Sequence, residues 1–201
     1  DYYDVTKLKD GRYLLIIADV SGKGVASGLL VNTLNASLNA YVENDFKLIE
    51  VADRLNKIIF KASTPEKYIT GFIAILETDT GRIEYLNAGH NPIFYLSDGK
   101  LVKLDKGGFA FGMLDFGMPY ESALIQIKPG EKILFYTDGI TEAMDEKGEE
   151  YSDEKLESFF VDRNPEEAET FITTLIKDVK KHTKDAHQSD DITALYLTRK
   201  M

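Results

Sequence analysis

The sequence predicts an α+β fold: an α-β-β-α sandwich of two mostly antiparallel sheets flanked by helical pairs. Three observations predict it. Apolar residues occupy consecutive positions in several short β-rich segments, as strands covered on both faces require. Turn signals such as Asp79-Thr80-Gly81 and Ser97-Asp98-Gly99-Lys100 join neighbouring segments into hairpins. Helical periodicity is confined to two pairs of segments, one pair toward each end of the chain.

The elements follow in order. Asp1-Tyr2-Tyr3-Asp4 opens abruptly with no lead-in strand, as in a piece cut from a longer protein. Residues 12–18 form the first strand. From Gly24, apolar residues recur at Val25/Ala26, Leu29/Leu30, Leu34, Leu38 and Tyr41/Val42, the spacing of a helix with one buried face. A second helix spans about 48–62, and the break at Asn44-Asp45 makes the two an αα-hairpin. Three hairpins are expected next: 68–77 with 82–88, 92–96 with 101–104, and 123–127 with 132–136 across Lys128-Pro129-Gly130-Glu131. Gly107-Gly108, Gly112, Gly117 and Pro119 mark a long loop between the second and third. Helices return at 153–161 and 165–182, with Pro165 suited to a first turn, and a strand over 192–197 closes the chain. No repeat, low-complexity tract or linker interrupts residues 1–201, so a single domain is expected.

Composition narrows the function. A chain of 201 residues can bury a sizeable core, and 43% hydrophobic against 29% charged residues is ordinary for a folded domain. A net charge of −10 argues against a nucleic-acid partner, which needs a basic face. No apolar run reaches membrane-spanning length. The absence of cysteine excludes disulfides and thiolate catalysis and fits a reducing, cytoplasmic location.

Chemistry concentrates at three acidic stations. Ile16-Ile17-Ala18-Asp19-Val20-Ser21-Gly22-Lys23-Gly24 is a strand that ends on a carboxylate and a glycine-punctuated loop. Ile133-Leu134-Phe135-Tyr136-Thr137-Asp138-Gly139 repeats that arrangement, and Ser189-Asp190-Asp191-Ile192-Thr193 sets an acidic pair just ahead of a β-rich run. Carboxylates delivered from strand ends to one point would hold hard cations. An isolated Asp-Gly is ordinarily a turn, and Asp98-Gly99 and Asp79-Thr80-Gly81 are read that way. Gly22-Lys23-Gly24 lacks the spacing and hydroxyl of a nucleotide P-loop. His90, between Gly89 and Asn91, reads as a hydrogen-bonded turn residue or as a general acid, with the turn favoured.

Asp19-Val20-Ser21-Gly22-Lys23-Gly24, Asn87-Ala88-Gly89-His90-Asn91-Pro92, Thr137-Asp138-Gly139-Ile140-Thr141-Glu142 and Asp190-Asp191-Ile192-Thr193 together resemble, in order, the signature segments of the SpoIIE/RsbU-type phosphatases. These belong to the metal-dependent PPM superfamily of serine/threonine phosphatases. The opening Asp1-Tyr2-Tyr3-Asp4 is similar to the end of that family's first segment, without the strand that normally precedes it.

The resemblance implies a phosphoserine/phosphothreonine protein phosphatase that uses two or three Mn²⁺ or Mg²⁺ ions and a metal-bridging hydroxide. It implies that Asp19 bridges two ions, that the Val20 carbonyl holds the second, and that Asp138 and Asp190 complete the first. Asp191 would then be the neighbour of a ligand, and Asp1 or Asp4 would act through water. It further implies a phosphorylated, STAS-like anti-sigma-factor antagonist as substrate, and with it signal transduction in sigma-factor control and the stress response. An upstream sensor domain or activator would act through the first helical pair, and a homodimer is compatible with this organisation. The resemblance supplies no general acid, since Ser21 and Gly22 follow Val20 where many eukaryotic relatives carry a histidine. The rival expectation is a catalytically inactive module that keeps the fold and docks a partner.

Overall fold

The computed structural model describes residues 1–42, 46–64, 66–115, 119–163, 167–188 and 190–200. The expected break at Asn44-Asp45, and Gly117, Pro165 and Ser189, lie outside them. The described residues form β1 (Tyr2–Lys7), β2 (Tyr13–Val20), α1 (Val25–Tyr41), α2 (Leu48–Ala62), β3 (Ile69–Glu77), β4 (Arg82–Ala88), β5 (Ile93–Ser97) and β6 (Lys100–Leu104). They continue with β7 (Gly107–Gly108), β8 (Ala123–Gln126), β9 (Lys132–Tyr136), α3 (Asp153–Val161), α4 (Ala168–Thr183) and β10 (Ala194–Thr198). This is an α+β fold with two sheets and, among the described residues, four helices. None of those helices is long and apolar enough to cross a membrane.

The chain forms two compact units. The first comprises Asp1–His90 and Asp105–Gln126. Its sheet runs β1-β2-β3-β4-β7, with β8 also on β4, and every pairing is antiparallel except β4 with β7. One face is apolar because alternate residues of β2 (Leu14, Ile16, Ala18, Val20) point the same way, as the period of a strand dictates. Against it lie Leu30, Leu34 and Leu38 of α1, and Leu48, Val51, Ala52, Leu55 and Ile59 of α2. The three- and four-residue spacing of these side chains puts each set on one stripe of its helix.

The second unit comprises Asn91–Leu104 and Ile127–Met201. Its antiparallel sheet has the order β10-β9-β5-β6. Phe94, Leu134 and Tyr136 meet Leu156 and Phe160 of α3 and Phe171, Leu175 and Val179 of α4. The aromatic rings interlock, with Phe171 stacked on Tyr196 at 4.1 Å between centroids. Lys132 is fully buried on β9, yet it is satisfied: its Nζ donates to the carbonyls of Phe160 and Arg163 at the end of α3. A cation placed there meets the negative end of the helix, where the last carbonyls lack helical partners.

The structure differs from expectation in three places. Tyr2–Lys7, and not residues 12–18, forms the first strand, because β2 supplies a full antiparallel register from Tyr2↔Ala18 to Lys7↔Tyr13. Gly107–Gly108, expected in a loop, pairs with the end of β4; a strand of two glycines has no side-chain alternation to read. The third expected hairpin is absent. The turn forms, with the Glu131 amide donating to Lys128, but β8 pairs with β4 whereas β9 pairs with β5 and β10. Burial accounts for the separation: β8 is half-buried on alternate residues, while all five residues of β9 are buried, as suits a central strand.

Glu131 anchors the entry to β9. Its carboxylate accepts from the Tyr95 hydroxyl, the Ser97 hydroxyl at 2.9 Å, the Lys128 amide at 2.8 Å and the Asp98 amide at 3.1 Å. Burial works to raise the carboxyl's pKa, but these four bonds outweigh it and hold it below the ordinary 4.5. Burial and the same carboxylate push the Tyr95 hydroxyl up to about 12. A depressed carboxyl contributes stability above its unfolded-state pKa and loses it as pH falls through the folded value. Glu131→Gln is therefore expected to cost about 2–3 kcal/mol at neutral pH, the scale of hydrogen bonds to a charged group. Urea midpoints of the two proteins should converge as pH falls below about 4.

Candidate metal centre

In the first unit, β2 carries Asp19 to the end of the sheet. Asp19 pairs with Thr70 on β3, and the Thr70 hydroxyl donates to the Asp19 carbonyl at 3.5 Å. That hydroxyl also lies 3.0 Å from His90 Nδ1, while the His90 amide donates to Asn87 Oδ1 at 2.7 Å. His90 is thus buried and bonded to the cross-strand neighbour of Asp19. Val20, the last residue of β2, is buried.

Asp1 and Asp4 have different surroundings. Asp1 precedes the Tyr2–Ala18 pair and so comes level with Asp19. Asp4 pairs with Ile16, a member of the helix-facing core, which puts it on the sheet face opposite Asp19. There it accepts from the Thr6 hydroxyl at 2.7 Å. Burial, and then the Asp4 charge, push the Tyr2 hydroxyl up to about 12.

The loop after Val20 is held by a residue that sequence reading passed over. Lys67 Nζ donates to the Ser21 carbonyl at 2.8 Å and lies 3.1 Å from Ser27 Oγ. It crosses directly over Gly22, where a Cβ would fall 2.2 Å from the ammonium nitrogen. Ser21 also donates its amide to Tyr68 and accepts the Tyr68 amide on its hydroxyl at 2.9 Å. No motif marks Lys67; its only sequence signal is its place just ahead of β3.

In the second unit, the ends of β9 and β10 bring the other two stations together. The Thr137 amide donates to the Thr193 carbonyl at 3.1 Å, and the Thr193 amide donates to the Thr137 hydroxyl at 3.2 Å. One residue further, Asp138 and Gly139 enter a turn closed by the Glu142 amide on the Asp138 carbonyl at 2.8 Å. Gly139 lies against the backbone of Asp191: a Cβ there would be 1.9 Å from the Asp191 carbonyl oxygen. Asp138 is half-buried; Asp190 and Asp191 are exposed, and the Asp190 carboxylate accepts the Asp191 amide at 2.8 Å.

The stations offer carboxylate and carbonyl oxygens, the donors that Mg²⁺ and Mn²⁺ prefer over sulfur. Among the described residues, no group of three or more His, Cys, Asp or Glu side chains is gathered closely enough to hold a metal ion. Beside Asp138 is a cavity of about 390 Å³ whose wall includes Glu142, Glu150, Asp153 and Glu154. The Glu154 carboxyl is held below its ordinary value by its own amide and by the Ser152 hydroxyl, at the start of α3.

The model of the family described as Stage II sporulation protein E (SpoIIE) matches residues 9–200. The chain belongs to the SpoIIE family. Among known proteins, this SpoIIE-family chain is 28% identical over 206 residues to the phosphoserine phosphatase RsbU of Bacillus subtilis, covering 100% of the chain and 59% of RsbU. It therefore spans less than two thirds of that relative. Its fold is similar to the PP2C phosphatase domain of SpoIIE from Bacillus subtilis, with a TM-score of 0.81 at 21% identity over 97% of this chain and 57% of that one. It is also similar to RsbX solved in complex with magnesium, with a TM-score of 0.67 at 14% identity over 97% and 84% of the two chains.

The apposition at Gly139 gives a direct test. Gly139→Ala must push the Asp138 turn away from Asp190 and Asp191, because the atom it meets is backbone. Mn²⁺ binding measured by calorimetry is expected to weaken at least tenfold, with the far-ultraviolet circular dichroism of the parent retained. Parent-like affinity in the folded variant would separate this contact from metal binding.

Proposed function

We propose that this domain is a metal-dependent phosphatase that hydrolyses phosphoserine or phosphothreonine on a regulatory protein. The observation that carries the reading is the contact of the Asp138-Gly139 turn with Asp190-Asp191, two signature stations of the SpoIIE family at one end of one sheet. Asp19, at the end of β2, is proposed to supply the third carboxylate, and the Val20 carbonyl a further oxygen. Asp138 and Asp190 are assigned as direct ligands, Asp191 as the neighbour that orients them, and Asp1 as a group acting through water. Asp4 faces the other way on β1 and takes no part in this version of the site.

Bound Mn²⁺ or Mg²⁺, in two or three positions, would neutralise the phosphoryl oxygens and supply activated water near neutral pH. The chain's own work is positional. Strand ends hold the carboxylates with little rotational freedom, and the Thr137–Thr193 pair of hydrogen bonds locks the second station to the third. Lys67 and Ser27 fix the loop beyond Asp19, the latter by donating to the Gly22 carbonyl at 2.9 Å. His90 is assigned to orient Thr70 and, through it, the backbone of Asp19, and not to serve as general acid.

The likeness to a phosphoserine phosphatase supports a phosphoserine protein as substrate. The resemblance of the signature segments to the SpoIIE/RsbU-type phosphatases adds a phosphorylated anti-sigma-factor antagonist, and control by an upstream sensor domain or activator, as further parts of the proposal. The test is turnover of p-nitrophenyl phosphate and of a phosphoserine peptide with and without Mn²⁺. Asp19→Asn and Asp138→Asn are each expected to lower the Mn²⁺-dependent rate by at least a hundredfold while leaving the thermal transition within a few degrees of the parent. Inactivity of the parent at every Mn²⁺ concentration would assign the domain instead to partner docking without catalysis.

A further inference from the structure

A second cavity in the same unit, of about 450 Å³, has a different character from the acidic one beside Asp138. Its wall runs from Gly139 along the second half of α4 to the segment before β10. Ala143, Met144, Ile176, Val179 and Ile192 give it an apolar floor. Lys180 and Lys184 give it a cationic rim with His187 beside them, and among the described residues no carboxylate lines it. In a chain of net charge −10 this is a local reversal of sign.

Several lysines elsewhere in the chain are neutralised by an ion pair. Lys57, Lys103, Lys106 and Lys128 are each in an ion pair with Asp53, Glu157, Glu121 and Asp98 respectively. Among the described residues, Lys180 and Lys184 have no such partner, although acidic side chains outnumber basic ones by 34 to 24. Met144 is 44% exposed, an unbranched apolar side chain at the mouth of the cavity. The volume lies in the range of pockets that enclose a ligand. Gly139, at one end of its wall, is the residue that touches Asp191 in the proposed metal centre.

We propose that this cavity is the specificity pocket for the protein substrate, receiving the residues that flank the phosphorylated one. An apolar side chain fits against Ile176, Val179 and Met144, and an adjacent Asp or Glu of the substrate pairs with Lys180 and Lys184. The assignment rests on the phosphatase reading above. It adds that the enzyme selects acidic, apolar sequences around its phosphoserine, and that the selection resides on α4 and the segment that follows it.

The test uses the whole chain and short phosphoserine peptides in two sets, one carrying Leu and Glu around the phosphoserine and one carrying Ala and Lys. Binding is read by the fluorescence anisotropy of labelled peptides, and turnover by phosphate release with Mn²⁺. The parent should bind the Leu/Glu set about tenfold more tightly and show the difference in KM, with little in kcat. The double variant Lys180→Glu/Lys184→Glu should reverse the preference toward the Ala/Lys set, an outcome that a general loss of structure does not produce. A parent that binds both sets alike, or a folded double variant that keeps the parental preference, overturns the pocket. A reversal in binding without any turnover by either protein keeps the pocket and overturns the phosphatase reading.

Discussion

The contact between Gly139 and the Asp191 carbonyl governs the arrangement of the second unit's acidic end. Two segments about fifty residues apart in sequence can bring carboxylates together only if their backbones touch, because an aspartate side chain reaches barely two bonds beyond its Cβ. A side chain at 139 would hold them apart, whatever the acidity of the neighbours. The hydrogen bonds between Thr137 and Thr193 fix the approach one residue earlier, so the register of β9 against β10 is carried into the turn. The first unit solves the equivalent problem with Gly22, which leaves room for Lys67 to lie across the loop and bond its Ser21 carbonyl and the Ser27 hydroxyl of α1.

Each unit supports its station with a core that leaves little slack. In the first, β2 is buried on five consecutive residues before Asp19, so the strand cannot slip by one position without turning its apolar side chains out of their places. In the second, β9 is an inner strand, and two buried charged residues stand at its entry. Glu131 and Lys132 are adjacent in sequence but point to different partners. The carboxylate gathers the β5–β6 turn and the Tyr95 hydroxyl, and the ammonium closes the end of α3. Burying either charge alone would cost several kcal/mol; both are stable because each finds a full set of hydrogen-bond partners. The strand that leads to Asp138 is thereby fixed at the end remote from the chemistry.

Much of this was legible in the sequence. The helices were marked by their periodicity, β3–β4 and β5–β6 by their turns, the first two stations by an apolar run meeting an acidic residue and a glycine, and the third by an acidic pair just ahead of a β-rich run. What was not legible depended on partners elsewhere in the chain. β1 reads as an unpatterned opening until β2 is beside it, and β8 and β9 look like a hairpin until β4 and β5 compete for them. Lys67 carries no motif, since its role exists only where β3 begins beside the loop it covers. The facing of Asp4 is likewise a matter of register: four residues name a family segment, but only the pairing with Ile16 shows which side of the sheet each one takes.

The two cavities of the second unit show why the sign of charge matters more there than its total. One is walled by carboxylates beside Asp138, the other by lysines beyond Gly139, and both lie along the same turn. A phosphorylated protein brings a dianion together with whatever its flanking residues carry, and an acidic flank would be repelled by most of a surface with net charge −10. In the proposed reading, cations held by the aspartates answer the phosphate, and Lys180 and Lys184 answer the flank. Unpaired lysines in a carboxylate-rich chain give up the modest gain of a surface ion pair, which is at most about 1 kcal/mol. That loss is small beside the discrimination available from setting attraction for one sequence against repulsion of another.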